Sequence, residues 1–141
     1  MYPPYLGAGI EVTAIAEDWS EVHVRMPLTE SNRNIMSTHF GGSLYAMVDP
    51  HLMILLMQRL GPGYVVWDRE ATIEFVRPGR GEVSATLRIT EQDLEGIRAA
   101  TESGERHFPR WTVDVAGTDG TVVARVQKTL FVRRVPEGEA P

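Results

Sequence analysis

The sequence predicts an α+β domain in which one apolar helix lies buried against an antiparallel sheet. Three observations carry that reading. Short segments alternate apolar and polar residues with the period of a half-buried strand, as in Val22-His-Val-Arg-Met26 and Val83-Ser-Ala-Thr-Leu87. One long helical stretch, Gly41 to Leu60, contains Leu52-Met-Ile-Leu-Leu-Met57. That run is apolar on all sides, so other structure must wrap it. The element order is strand, strand, long helix, then four strands with a short helix inserted. Consecutive hairpins of this kind imply an antiparallel sheet, and helix and sheet then bury each other's apolar faces.

The elements follow in order. Residues 1–8 are rich in Pro and Gly and read as a lead-in arm. Ile10–Ala16 is β-compatible, and Asp18-Trp-Ser20 turns the chain into the strand at Val22–Met26. Gly61-Pro-Gly63 ends the helix that begins at Gly41. Within that helix Pro50 has no N–H to donate, which predicts a break near Ala46. Asp49 would then cap a second segment with Pro50 at its first position. Ala71, Ile73 and Phe75 alternate, Pro78-Gly79 turns, and Val83–Ile89 alternates again, a hairpin pattern. Thr90 caps a short helix ending near Ser103, with Asp93 at its third position. Trp111–Val115, the turn Asp119-Gly120 and Val122–Val132 form the last hairpin.

The chain has 141 residues, the size of one domain, able to bury roughly 68% of its unfolded surface. We expect a single domain over residues 1–135 and a disordered tail over 136–141. The absence of cysteine excludes disulfides, thiolate catalysis and thiolate zinc sites. A net charge of −5 argues against a nucleic-acid or anionic-membrane partner. The four histidines show no metal-ligand spacing. No signal-like segment or span-length apolar run is present, and a soluble, cytoplasmic protein is expected.

The segment most suggestive of chemistry is Asn34-Ile-Met-Ser-Thr-His-Phe-Gly-Gly-Ser-Leu-Tyr-Ala-Met-Val-Asp-Pro50. Gly41 and Gly42 open a helix, where bare backbone N–H groups can face an oxygen carrying negative charge. Asp49, further along, offers a base or a nucleophile. Asn34 can orient a carbonyl or a water. Hydrolysis of an activated acyl group needs such parts. Each has a plainer reading: close packing for the glycines, a helix cap for Asp49, a turn residue for Asn34.

On these residues the chain resembles the hot-dog fold, an antiparallel sheet wrapped around a central helix. Within it the chain is similar to acyl-CoA thioesterases of the phenylacetyl-CoA type, in which an Asn, a His-Gly-Gly and an Asp occupy the positions of Asn34, Gly41-Gly42 and Asp49. His39–Pro50, Val66-Trp-Asp68 and Lys128–Arg134 look most similar to an uncharacterised bacterial branch of that fold. Phe40 stands where the histidine is usual, with His39 one place away. Pro50 follows the aspartate. Asp68 stands where some relatives carry a Ser or Thr that holds the attacking water.

The resemblance implies a homodimer or dimer of dimers, with Asn34 and Asp49 acting from opposite chains on an acyl-CoA or related thioester. It implies no metal and no redox cofactor. His39 and Asp68 are possible additions to the site. Arg77, Arg80, Arg133 and Arg134 are candidates for the coenzyme's phosphates, since Arg forms paired hydrogen bonds to phosphate. Two other functions fit the scaffold: non-catalytic binding of acyl groups or acyl-CoA, and dehydration of a hydroxyacyl thioester. The second needs a His beside a carboxylate. His51, two residues past Asp49, is on the wrong helix face for that role.

Overall fold

The computed structural model describes residues 2–136. The expected tail, beyond Pro136, lies outside the described residues. In chain order the elements are α1 (Pro3–Ala8), β1 (Glu11–Ile15), β2 (Glu21–Met26), α2 (Gly41–Ala46), α3 (His51–Leu60), β3 (Tyr64–Phe75), β4 (Val83–Arg88), α4 (Glu91–Ala100), β5 (Arg106–His107), β6 (Arg110–Gly117) and β7 (Val122–Arg134). The seven strands form one antiparallel sheet in the order β1-β2-β4-β6-β7-β3, with β5 pairing on β7.

The sheet's inner face meets the central helix. Leu52, Leu55 and Leu56 of α3 are buried in one cluster with Val24, Leu87, Val113, Val126 and Leu130 from the strands. Each such Leu contributes roughly 1.5–3 kcal/mol by leaving water. The wrapping expected from the all-round apolar run is present on the face of Leu52, Leu55 and Leu56, whereas Met53 and Ile54 are half-buried and Met57 is exposed. The α4 start also follows its sequence pattern. The Asp93 N–H donates to Thr90 Oγ1 at 3.0 Å and the Thr90 N–H to Asp93 Oδ2 at 2.9 Å, a reciprocal cap.

Three expectations need correction, and a fourth, the break in the main helix, holds. Residues 3–8 form α1 rather than an irregular arm, and the ring of Tyr5 enters the core. The main helix is broken: α2 ends at Ala46, as the proline predicts, and α3 starts at His51. Pro50 is the N-cap rather than the first helical residue, its peptide bond to Asp49 is cis, and Asp49 gives α3 no side-chain cap. Finally, β3 and β4 do not pair as a hairpin. β3 pairs with β7, and β4 lies between β2 and β6. Alternation tells which face of a strand is apolar but not which strand lies beside it.

β3 is a 12-residue edge strand. From Arg69 to Thr72 and again at Glu74 and Phe75 its residues are exposed. Among the described residues nothing pairs with its outer backbone edge.

Candidate active site

The centre of the site is a residue that strand periodicity makes conspicuous once the register is known. Along β7 the inward positions are Ala124, Val126, Lys128, Leu130 and Val132, all buried. A lysine at a core position must keep its charge satisfied or lose it. Lys128 is 1% exposed and is satisfied. Its ammonium lies 2.8 Å from Tyr45 Oη, 3.2 Å from Asp49 Oδ1 and 3.3 Å from Asp68 Oδ1.

Three elements deliver these oxygens. Tyr45 is near the end of α2, and its ring also lies under the ammonium, 5.0 Å from ring centre to nitrogen. Asp49 sits in the helix break, where the chain leaves the helical path and its side chain can turn to the sheet. Asp68 precedes a bulge in β3, between Asp68 and Glu70, that lets both Asp68 and Ala71 pair opposite inward positions of β7. The two carboxylates are not sealed in. Asp49 is 46% and Asp68 31% exposed on their side chains.

The electrostatics follow from one cation meeting two acids. Partial burial pushes the Asp68 carboxyl above the ordinary carboxylate range; Lys128 opposes this and the neighbouring Asp49 adds to it. Burial by itself would pull the Lys128 ammonium down. The hydrogen bond to Tyr45 and the charges of Asp68 and Asp49 outweigh it, so the net direction is up and the amine stays protonated.

On the other side of the break stands an uncharged pair. Tyr5 Oη is 2.6 Å from His51 Nε2, 2.6 Å from the Ala46 carbonyl and 2.7 Å from the Asp49 carbonyl. These carbonyls lose their usual acceptor role where the helix is interrupted, and the phenol stands between them. Burial lowers His51 to about 4, against a smaller upward pull from Asp49, so its ring is neutral near pH 7. An apolar cavity of about 360 Å³ adjoins this pair, lined in part by Val12, Ile15, Val22 and Ile54.

The remaining predicted residues are placed as follows. Gly41 and Gly42 open α2 under two rings. A Cβ on Gly41 would stand 2.9 Å from the Phe75 ring, and one on Gly42 2.7 Å from Phe40. The close-packing reading of this pair thus has direct geometry, and their N–H groups, at the first turn, have no acceptor within the helix. Asn34 organises its loop: its Oδ1 accepts from the Met36 and Thr38 N–H groups at 2.9 and 3.1 Å, and its Nδ2 donates to the His39 carbonyl at 3.3 Å.

His39 is buried, and its Nε2 bonds the Gly81 carbonyl at 2.7 Å. Its backbone N–H donates to Gly79. His39 therefore ties the β3–β4 connection to the start of α2. Burial lowers its basicity, with the Gly81 bond opposing.

The four arginines do not converge within one chain. Arg77 and Arg80 follow the Phe75 end of β3, beside Gly41, whereas Arg133 and Arg134 pair with Val65 and Tyr64 at the other end. A strand of 12 residues spans roughly 40 Å.

Sequence reasoning missed Lys128, Tyr45 and Tyr5 as members of these clusters. Lys128 alone had a signal, as the one cation on the apolar stripe of the last strand. Among the described residues, no three of His, Asp and Glu gather in a metal-binding group. No helix there is long and apolar enough to cross a membrane.

A helix wrapped by this antiparallel sheet defines a hot-dog domain, and solved structures agree. PA5026 of Pseudomonas aeruginosa, a protein of unknown function called a probable thioesterase, superposes with a TM-score of 0.80 at 18% identity, covering 94% of this chain and 88% of that one. Thioesterase HI1161 of Haemophilus influenzae gives 0.67 at 17% identity, covering 97% and 87%. The Escherichia coli PaaI protein from the phenylacetic acid degradation operon gives 0.65 at 18% identity, covering 95% and 85%. At such identities the likeness establishes the fold.

The chain belongs to the family described as Domain of unknown function (DUF4442), which matches residues 1–132. No curated protein sequence matches it.

Proposed function

We propose that this protein hydrolyses acyl-CoA or closely related thioesters. The observation that carries the reading is the placement of Asp49. Its half-exposed carboxylate emerges from the break between α2 and α3, beside a second carboxyl and next to an exposed sheet edge. In the reaction, water attacks the acyl carbon while Asp49 takes a proton from it. The C–S bond breaks, and the departing sulfur takes up a proton to leave as thiol. An N–H of Gly41 or Gly42 stabilises the oxygen that becomes negative, a contribution of roughly 3–4 kcal/mol for one well-aimed donor.

One chain does not supply both parts. Gly41 opens α2, whereas Asp49 lies past its other end, eight residues on, and turns to the middle of β3 rather than to its Phe75 end beside Gly41. Two copies solve this. The long unpaired edge of β3 favours antiparallel pairing with a second β3, because such an edge otherwise invites aggregation. That pairing sets one copy's Phe75 end, with Gly41, Arg77 and Arg80, against the opposite end of the other strand. The partner's Arg133 and the partner's Arg134 then come to the same end, and the four arginines separated in one chain gather around one coenzyme.

The test is a panel of acyl-CoA substrates with free-thiol detection. Turnover is expected, and Asp49→Asn is expected to lower it by about 100- to 10,000-fold. Unchanged turnover in that variant would remove the mechanism.

A second reading, acyl or acyl-CoA binding without turnover, draws support from Asn34, whose carboxamide is engaged by its own loop. Calorimetric binding of the same panel without thiol release would favour it. The dehydratase reading loses its histidine, because His51 is held by Tyr5.

A further inference from the structure

Hydrolysis as described leaves Lys128 without a part, although it is the largest of the fully buried side chains. An ammonium has three donors, and the oxygens of Tyr45, Asp49 and Asp68 stand around it at 2.8, 3.2 and 3.3 Å. Enclosed in this way it cannot reach a substrate oxygen. Held protonated, it cannot attack one either. It can fix two carboxylates with respect to each other. These arrive from segments distant in the chain, the break after α2 and the strand β3, and like charges would otherwise part them.

A purely structural ion pair would need one acid. Here a second, exposed acid is added at the cost of repulsion, and both open outward. Apolar residues of similar volume usually serve a core as well as a buried ion cluster, and the neighbours of Lys128 along β7 are such residues. Packing gives no reason for the lysine.

We propose that, on the hydrolytic reading above, Lys128 is the positioning residue of the site: it locks one oxygen of Asp49 and sets Asp68 beside it as a paired carboxyl. The titratable groups facing Lys128 are Tyr45 from α2, Asp49 from the break and Asp68 from β3. Tyr5 of α1 and His51 of α3 stand at the same break.

The test uses Lys128→Met, which keeps length and removes charge. We expect kcat to fall about 100-fold with KM little changed, as for a misplaced catalytic group. The acid limb of the pH profile should move up by about 1–3 pH units, since the cation no longer favours the ionised acids. Carbon-13 NMR titration of the aspartate carboxyls reads the same coupling without substrate. The Asp68 midpoint should rise in Lys128→Met and fall in Asp49→Asn. Tyr45→Phe, which keeps every charge, should lower kcat with the acid limb unmoved, and serves if Lys128→Met does not fold.

Wild-type kcat and acid limb in Lys128→Met would overturn the proposal. So would an Asp68 midpoint unmoved by Asp49→Asn, whatever the turnover. No wild-type turnover on the panel would instead sink the hydrolytic reading, a separate result.

Discussion

At the break between α2 and α3 the chain directs polar groups to opposite sides, and the two sides treat charge differently. Asp49 sends its carboxylate toward the sheet, where Lys128 and Asp68 complete an ionised cluster that reaches solvent. Two residues on, His51 sends its ring toward Tyr5 beside an apolar cavity, and there burial keeps it neutral. The difference lies in the access of each side to water and counter-charge. A cation enclosed by anions can stay charged in a core, while an imidazole with only a phenol for company gives up its proton. The same interruption of the helix thus places a charged cluster open to solvent on one side and a buried, neutral pair on the other.

The contrast is most exposed to test at Lys128. Lys128→Ala should destabilise the fold by about 3–5 kcal/mol, as when one partner of a buried ion pair is removed. Lys128→Met should cost less, because it fills the space. Urea unfolding of both checks this, and an alanine variant as stable as wild type would mean that the cluster holds nothing together.

The neutral side should show itself through pH. Above about 6.5, His51 is uncharged in both folded and unfolded chains and contributes no pH dependence. Below that, the unfolded chain takes up a proton that the folded one refuses until about 4, so stability falls as pH falls through this window. The loss amounts to about 3 kcal/mol. His51→Gln should flatten the curve there, measured by unfolding at a series of pH values. An unchanged slope would show the ring to be accessible to protons.

Tyr5→Phe comes next, at roughly 1–3 kcal/mol, because it leaves His51 and the carbonyls at the break without the phenol. Asp68→Asn should be the smallest, under about 1 kcal/mol for a carboxylate this exposed. Its sign is set by the raised Asp68 carboxyl, which favours folding less as pH rises. The variant should therefore gain on wild type from acid toward neutral pH, and the opposite trend would mean that the Lys128 attraction dominates.

Much of the scaffold could be read in advance. The strand faces at Val22–Met26 and Val83–Leu87, the Thr90 cap and the break after Ala46 all follow from local rules. Periodicity, a short side-chain oxygen and a missing N–H act within a few residues. The site was legible only in part. Asp49 and Asp68 were conspicuous as acids, but the cation between them lies sixty residues and more from either. The β3–β4 hairpin misled for a related reason: two alternating segments joined by Pro78-Gly79 look like partners until the whole sheet is assembled.

By itself the sequence determined which residues alternate, where the central helix must break, and that its apolar second half has to be enclosed. These are short-range consequences of backbone geometry and of water's avoidance of apolar surface. Tertiary structure decided the neighbours: β7 beside β3, Lys128 between two carboxyls, Tyr5 against His51, four arginines at two ends of one strand. Contacts between distant segments depend on the packing of the whole chain, and no local pattern encodes them.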